Sequence, residues 1–358
     1  MRPPKICLVG NSLSFGGADK IHAVLSNYFA SEGFEVHNII FIDGVTYDFS
    51  GELLNLGAER KNGGISDLFK RFTRISDYLK QHTFDFIIDF RTRHKPLREF
   101  FLTRLFSHYR YIPTIHSYKT EWYFTPNAFV AKRIFKNAFK IVCVASEIED
   151  RVKSEYGYDQ VVTITNPLES DKIESLSNQP IDVGFRYIVA AGRMAEDDHK
   201  QFAKLMMAFL DSDLPKQGIK LLFLGDGPMR MEFENLSEIG GLPTVFKGFV
   251  DNPYPYLKNA EFTVLTSKFE GLPNILAESL AVGTPVVSFD CQSGPRDLIM
   301  DRENGLLVEN QNWGAFVSAL NEMANDTELR KKCGSNAKSS VMRMEVSEIG
   351  QIWKDLLK

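Results

Sequence analysis

Short apolar runs ending in Gly, Asn or Asp alternate with longer stretches of helical period along almost the whole chain. No other feature narrows the fold as much. KICLVGN reads as a strand, and the ADKIHAVLSNYFASEG that follows puts Ile21, Val24, Leu25 and Phe29 on one helical face. EVHNIIFI, FDFIIDF, YIPTIH and KIVCVAS continue the pattern. Strands that alternate with helices predict a parallel sheet covered on both faces. Near Thr165 to Val183 the pattern breaks: TNPLESDKIESLSNQPIDVG is polar and carries two prolines. Beyond it the alternation restarts with RYIVAAG, LLFLGDG, TVFKGFV, FTVLTS, TPVVSF and GLLV. At 358 residues the chain also exceeds what one hydrophobic core usually supports. The expected fold is α/β, two doubly wound Rossmann-like domains facing a cleft. Residues 1–168 form the first and residues 169–342 the second, with a helix at about 343–358 packing back on the first. Ligands of such sheets lie beyond the carboxyl ends of the strands, so the strand-to-helix loops are where chemistry is sought.

Composition sits at the globular average, with 44% hydrophobic and 25% charged residues, which argues against a disordered, collagenous or coiled-coil chain. Apolar runs fall far short of the roughly 20 residues that span a bilayer. The opening MRPPKICLVG has no signal-peptide core. Four cysteines, Cys7, Cys143, Cys291 and Cys333, have no CxxC spacing, so neither a zinc site nor a disulfide framework is expected. Together these predict a cytoplasmic protein.

The net charge of −4 conceals an asymmetry. Residues 1–175 hold 23 Lys and Arg against 21 Asp and Glu, a balance of +2; residues 176–358 hold 19 against 25, a balance of −6. Within the first half, residues 91–140 carry eleven bases opposed only by Glu99 and Glu121, interleaved with aromatics such as Phe100, Phe101, Phe106 and Trp122. Phe101, Leu105 and Tyr109 fall at helical spacing beside Arg98 and Arg104, the make-up of an interfacial helix. An ordinary core with a solvated basic face fits the same residues. Nucleic acid is not expected, because no recognition motif accompanies the charge.

Three loops carry candidate chemistry. Asn11 to Lys20 holds Gly16 and Gly17 at a strand-to-helix turn, where backbone can approach a ligand and the helix amino terminus favours negative charge. Taken alone, this loop fits a plain tight turn equally well, and the G-x-G-x-x-G dinucleotide spacing is absent. Gly192-Arg193-Met194 precedes the acidic run Glu196-Asp197-Asp198 and then His199-Lys200. Arg193 as a fork and Lys200 as a point charge suit a diphosphate. The third loop, Ser267 to Glu278, combines a Gly-Leu-Pro turn, a helix amino terminus with amides at Gly271, Leu272 and Asn274 beside Pro273, and flanking carboxylates Glu270 and Glu278. Amides there suit a phosphate, and a carboxylate accepts two hydrogen bonds from a vicinal diol.

These residues resemble the retaining, nucleotide-sugar-dependent glycosyltransferases of family 4, which have the GT-B fold. Glu270-x7-Glu278 within FEGLPNILAESLAVGTPVVS carries the resemblance. Gly16-Gly17-Ala18, Gly192-Arg193, Gly225-Asp226-Gly227-Pro228, Ser293-Gly294-Pro295 and Asn304-Gly305-Leu306-Leu307-Val308 support it. It runs from about residue 5 to the carboxyl terminus and is strongest across 219–308.

The resemblance implies roles. Glu278 would bind the donor ribose and Glu270 would lie beside the transferred sugar. Amides of Gly271, Leu272 and Asn274, around Pro273, would meet sugar and phosphate. Arg193 and Lys200 would neutralise the leaving diphosphate, Gly16 and Gly17 would reach the phosphates, and His116 would face the donor sugar. Backbone around Phe246 to Phe249, Gly248 and Phe249 included, would line the base. In the family the lysine usually follows the arginine by five residues; here Lys200 comes seven after Arg193, which reads as a two-residue insertion. No cofactor and no metal is expected, the nucleotide sugar, most simply UDP-linked, being a substrate. The implied activity is retaining transfer of a hexose or N-acetylhexosamine to a glycan or lipid-diphosphate-linked acceptor by a cytoplasmic enzyme, peripheral on the inner face of the membrane through residues 91–140. A nucleotide-sugar epimerase of the same fold and a catalytically silent nucleotide-sugar-binding partner remain as alternatives.

Overall fold

The structure, a computed structural model, describes residues 3–14, 16–59, 65–93, 95–125 and 127–358. Phe15 of the first loop, and His94 and Pro126 of the basic segment, lie outside the described residues. Backbone packing divides the chain into two compact units, residues 1–167 with 346–358, and residues 168–345.

The first unit is built on a seven-stranded sheet. Its strands are β1 (Lys5–Gly10), β2 (Glu35–Ile40), β3 (Glu52–Asn55), β4 (Phe86–Asp89), β5 (Arg110–Ile115), β6 (Ile141–Cys143) and β7 (Val161–Thr163). They are ordered β3-β2-β1-β4-β5-β6-β7, and every pairing is parallel. Ile6, Leu8, Phe86 and Ile88 of the central strands pack with Leu25 and Phe29 of the helix Gly17–Ser31. That helix buries the face its spacing predicts. The helix Val346–Leu356 adds Ile349 and Trp353 to the same core. A Cβ on Gly350 would lie 2.2 Å from the Tyr28 ring, so only glycine permits so close an approach. Lys354 and Glu32 pair across the two helices.

Two strands, β3 and β7, escape the sequence reading. Both are sheet edges of three or four residues, and edge strands are kept short and polar in natural proteins, which mutes their signal. The basic segment also needs correction. Arg91 and Arg93 are buried at 1% and 0% exposure, and Phe106, Tyr111, Tyr123, Phe124 and Phe135 belong to the core. The helix in this region runs Pro96–Phe106, so Tyr109 falls beyond its end and donates its hydroxyl to the Leu79 carbonyl.

The second unit repeats the architecture with six parallel strands, β8 (Tyr187–Ala191), β9 (Lys220–Leu224), β10 (Thr244–Gly248), β11 (Thr263–Leu265), β12 (Val286–Phe289) and β13 (Gly305–Val308). Their order is β10-β9-β8-β11-β12-β13. Chain direction across the sheet reverses between β8 and β11, which makes the loops after these two strands the sides of the ligand-binding crevice of a doubly wound sheet. Residues 165–184, read as a polar break, contain the helix Ser170–Ser177, which belongs to this unit.

Candidate active site

Backbone contacts between loops build the carboxyl-end rim of the second sheet. After β10, the Gly248 carbonyl accepts from the Gly225 amide at 2.8 Å. Gly225, with φ +125°, approaches the β8 loop so closely that a Cβ there would lie 2.1 Å from the Gly192 oxygen. The Met194 amide donates to the Asp226 carbonyl and the Met194 carbonyl accepts from the Met229 amide. Glycines at 225 and 227 therefore answer a packing need: a Cβ at either would run into backbone of the β8 loop, while positive φ favours glycine at 192 and 248. Phe249 beyond them is 43% exposed, and the Phe246 ring stacks on Phe223 with centroids 4.8 Å apart.

The longer loop between Arg193 and Lys200 is absorbed locally. Asp198 and Gln201 both take positive φ, 36° and 57°, and the Gln201 amide donates to the Asp198 carbonyl, closing a tight turn. Asp198 Oδ1 then caps the next helix by accepting from the Phe202 amide at 3.0 Å. Burial raises its carboxyl above the ordinary value. Gln201 Nε2 donates to the Thr266 carbonyl at 2.7 Å, and Thr266 Oγ1 donates to the Lys200 carbonyl at 2.8 Å. The acidic run bulges outward while Lys200 is fastened to the loop after β11.

Lys200 consequently reaches Glu270, with Nζ 2.5 Å from Oε1. Ser267 Oγ donates to the same carboxylate oxygen at 2.5 Å. Glu270 sits at the reversal point because the loop that bears it is braced from β12: the Glu270 amide donates to the Gln292 carbonyl, and Ser293 Oγ donates to the Gly271 carbonyl at 2.8 Å. Gly294, φ +99°, lets this brace close, since a Cβ would lie 2.5 Å from Pro273. The Ser-Gly-Pro sequence thus holds the Gly271-Leu272-Pro273 turn. From that turn the helix Asn274–Ala281 starts with no side-chain cap, and its first-turn amides point along the loop. Glu278, one turn in, is 6% exposed. Arg193 is exposed and forms no hydrogen bond or ion pair with a described residue.

The remaining three sequence candidates, Gly16, Gly17 and His116, lie in the first unit. Gly16 caps the helix Gly17–Ser31 with its backbone at φ −109°. The Asp19 carboxylate folds against Gly16 and accepts from Ser12 Oγ at 2.6 Å, and burial lifts its carboxyl to about 6. His116 follows β5, its Nε2 2.9 Å from Thr114 Oγ1. Burial, with the Arg93 cation second, lowers it to about 3, so the imidazole is neutral at physiological pH. Tyr123 hydrogen-bonds the His116 backbone and feels the Asp19 charge, which places Asp19, Tyr123 and His116 around one spot. The sequence reading missed Asp19 and Tyr123. An acid in the first helical turn after two glycines was the available signal for Asp19; Tyr123 had none.

Among the described residues, one group of side chains lies within metal-binding reach of each other: His37, Glu52 and His82. Lys5 Nζ already stands 3.3 Å from His82 Nδ1, and Tyr78 and Glu35 occupy the two nitrogens of His37. The group carries its own cation and its own hydrogen-bond partners.

Two doubly wound units with this rim of loops define a GT-B glycosyltransferase fold, and the comparisons agree. A crystal structure of a glycosyltransferase from Rickettsia africae ESF-5 superimposes with a TM-score of 0.78 over 100% of both chains at 18% identity. Residues 171–340 match the family model described as glycosyl transferases group 1. The second unit is thus similar to that family, and the chain is a glycosyltransferase. Two Campylobacter jejuni proteins are similar along nearly their whole length. An N-acetylgalactosamine-N,N'-diacetylbacillosaminyl-diphospho-undecaprenol 4-alpha-N-acetylgalactosaminyltransferase is 27% identical over 97% of this chain and 96% of its own. A second alpha-1,4-N-acetyl-D-galactosaminyltransferase, which extends GalNAc-alpha-(1->4)-GalNAc-alpha-(1->3)-diNAcBac-PP-undecaprenol, is 27% identical over 99% of this chain and 98% of its own.

Proposed function

We propose that the chain is a retaining family 4 enzyme that transfers an N-acetylhexosamine or hexose, N-acetylgalactosamine first among them, from a UDP-linked donor to a glycan on a lipid diphosphate. The observation that carries this reading is the Lys200–Glu270 pair at the reversal point between β8 and β11, beside an uncapped helix amino terminus. The names of the two Campylobacter relatives support the sugar and the lipid-diphosphate acceptor.

Each residue takes a role its surroundings allow. Lys200 leaves Glu270 for the diphosphate, joined by the exposed Arg193 and the dipole of the helix Asn274–Ala281; together they offset leaving-group charge. Glu270, released, accepts hydrogen bonds from the sugar hydroxyls, and Glu278 holds the ribose diol. The bond from the anomeric carbon to the diphosphate oxygen breaks as the acceptor hydroxyl oxygen bonds to the same face. The hydroxyl proton passes to the departing diphosphate. Covalent catalysis by Glu270 is the second choice.

Three helices of the first unit support docking on the inner membrane face. Phe69 of the helix Ile65–Gln81, Leu97, Phe100 and Phe101 of the helix Pro96–Phe106, and Phe129 of the helix Ala128–Phe135 are all exposed, and the Phe72 and Phe101 rings are in contact. Exposed Lys70, Lys95, Arg104, Lys132 and Arg133 lie on the same helices or at their ends. Each base near an anionic leaflet contributes about 1 kcal/mol. No helix among the described residues is long and apolar enough to cross a membrane.

The test is a transfer assay with UDP-GalNAc, UDP-GlcNAc, UDP-Gal and GDP- and ADP-sugars against a lipid-diphosphate glycan acceptor, with the product's anomeric configuration read by NMR. Transfer from a UDP-sugar with the α configuration kept is expected. Product of inverted configuration, or transfer only from another nucleotide, overturns the corresponding part.

A further inference from the structure

The most unusual feature of the first unit is a buried polar array that the proposed chemistry leaves without a task. Glu99 and Asp89 flank Arg91, whose guanidinium donates to Asp89 at 2.9 and 2.8 Å and to Glu99 at 3.1 Å. Arg93 lies deeper. Its Nη1 donates to the carbonyls of Asp89 and Arg91, and its Nη2 donates to the Thr114 carbonyl at 2.8 Å. Arg93 therefore clamps the ends of β4 and β5 together through backbone, and its charge acts on His116. A fully buried cation is expensive unless it does something that a hydrophobic residue cannot.

We infer that Thr114 and Arg93 are positioning residues that hold His116 as the neutral tautomer protonated at Nε2, so that Nδ1 is presented as a hydrogen-bond acceptor. The argument is one of counting protons. Thr114 Oγ1 has a single hydrogen, and the Asp89 carbonyl oxygen lies 3.0 Å away to receive it. His116 Nε2 lies 2.9 Å from the same hydroxyl oxygen. With its proton spent on Asp89, Thr114 can only accept, so the proton of that contact belongs to Nε2. The other tautomer forfeits the bond from Thr114 to Asp89 and gains no bond to a described residue at Nδ1. One net hydrogen bond in a partly buried setting separates the two. The imidazolium is excluded by burial and by Arg93, whose carbonyl clamp also keeps the Asp89 oxygen where Thr114 needs it.

Nδ1 of such a histidine takes an O–H or an N–H donor: a sugar hydroxyl or the amide N–H of an acetamido group, and never a phosphate oxygen. The place of the proton stands on the Thr114 and Asp89 geometry, and its catalytic use rests on His116 contacting the donor sugar, as the proposed function has it. Thr114 and Arg93 touch no substrate and act through His116.

The tautomer is read by long-range proton–nitrogen correlation on the full chain labelled with nitrogen-15 histidine, the His116 signals assigned with His116→Gln. The Nε2–H pattern, unchanged from pH 8 to pH 5, is expected; the Nδ1–H pattern or a cation in that range overturns the proposal. In Thr114→Val the pattern should become a mixture of tautomers, and the KM for the sugar donor should rise about tenfold with kcat changed less than threefold. Thr114→Ser should restore both. A wild-type pattern in Thr114→Val, or a serine variant as impaired as valine, also overturns it. A mixed pattern with an unchanged donor KM supports the tautomer lock and removes His116 from the sugar contact. Should Thr114→Val fail to fold, the wild-type spectrum and the serine variant still decide.

Discussion

Lys200 Nζ and Glu270 Oε1 stand 2.5 Å apart although seventy residues separate them, because β8 and β11 are neighbours in the sheet and Thr266 and Gln201 tie their loops together. A lysine placed two residues late is thereby returned to the reversal point. Under the proposed function the pair is a ground-state contact that a diphosphate would displace, so donor binding would exchange one anionic partner of Lys200 for another.

Lys200→Ala and Arg193→Ala should each lower kcat, since both cations offset leaving-group charge. Loss of one such electrostatic contact costs about 2.7–4 kcal/mol, roughly a hundred- to a thousandfold in kcat. Steady-state kinetics with the preferred donor checks this. Full activity in Lys200→Ala beside a dead Arg193→Ala would mean that the lysine serves only Glu270.

Glu278→Ala should weaken UDP binding by roughly ten- to a hundredfold. A hydrogen bond to a charged group contributes about 1.5–3 kcal/mol, and Glu278 is buried in the turn that follows the helix start. Calorimetric titration with UDP measures it, and wild-type affinity would remove Glu278 from the ribose.

Asp19 predicts a dependence of stability on pH with a definite sign. Its folded value, about 6, lies above the ordinary 3.8, and burial is the main cause. The native state therefore binds the proton more tightly than the unfolded chain. The stabilisation from the protonated carboxyl is fully present below about pH 4 and is lost as pH rises through about 6. Asp19→Asn, which keeps an acceptor for Ser12, should be more stable than wild type at pH 7 by on the order of 2 kcal/mol. The advantage should vanish below pH 4. Urea unfolding at pH 7 and pH 4 tests it, and an equal difference at both values rules out titration of Asp19.

Membrane docking should fail when the exposed aromatics or their bases are altered. Flotation with vesicles containing anionic lipid should capture the protein at low salt, less at high salt. Capture should fall about tenfold or more in a Phe69→Ser, Phe101→Ser variant and in an Arg104→Glu, Lys132→Glu variant. Indifference to salt and to both variants would end the idea.

The alternation of apolar runs and helical stretches made both sheets legible, because a parallel strand buried on both faces is a continuous apolar run. Two glycine-bearing loops and the Glu270-x7-Glu278 spacing located the rim of the second sheet for the same reason: they are local. What was not legible depends on contacts distant in sequence. Whether an insertion displaces Lys200 is decided by Asp198 and Gln201 adopting left-handed backbone, and by Thr266 sixty-six residues on. Arg91 and Arg93 read as surface charge in a basic run; the carboxylates of Asp89 and Glu99 explain the burial of Arg91, and the Asp89 carboxylate with three backbone carbonyls explains that of Arg93. Charge counting along a chain says nothing about which bases have found a partner.

The return of residues 346–358 to the first unit has a consequence for the order in which the molecule takes shape. During synthesis, residues 168–345 are complete before Ile349 and Trp353 have been made, so the unit begun second can close its core first. The unit begun first must wait, holding its nascent sheet with one flank of the helix Gly17–Ser31 uncovered until residues 346–358 emerge. Termination near residue 345 would spare the second unit and leave its companion unfinished.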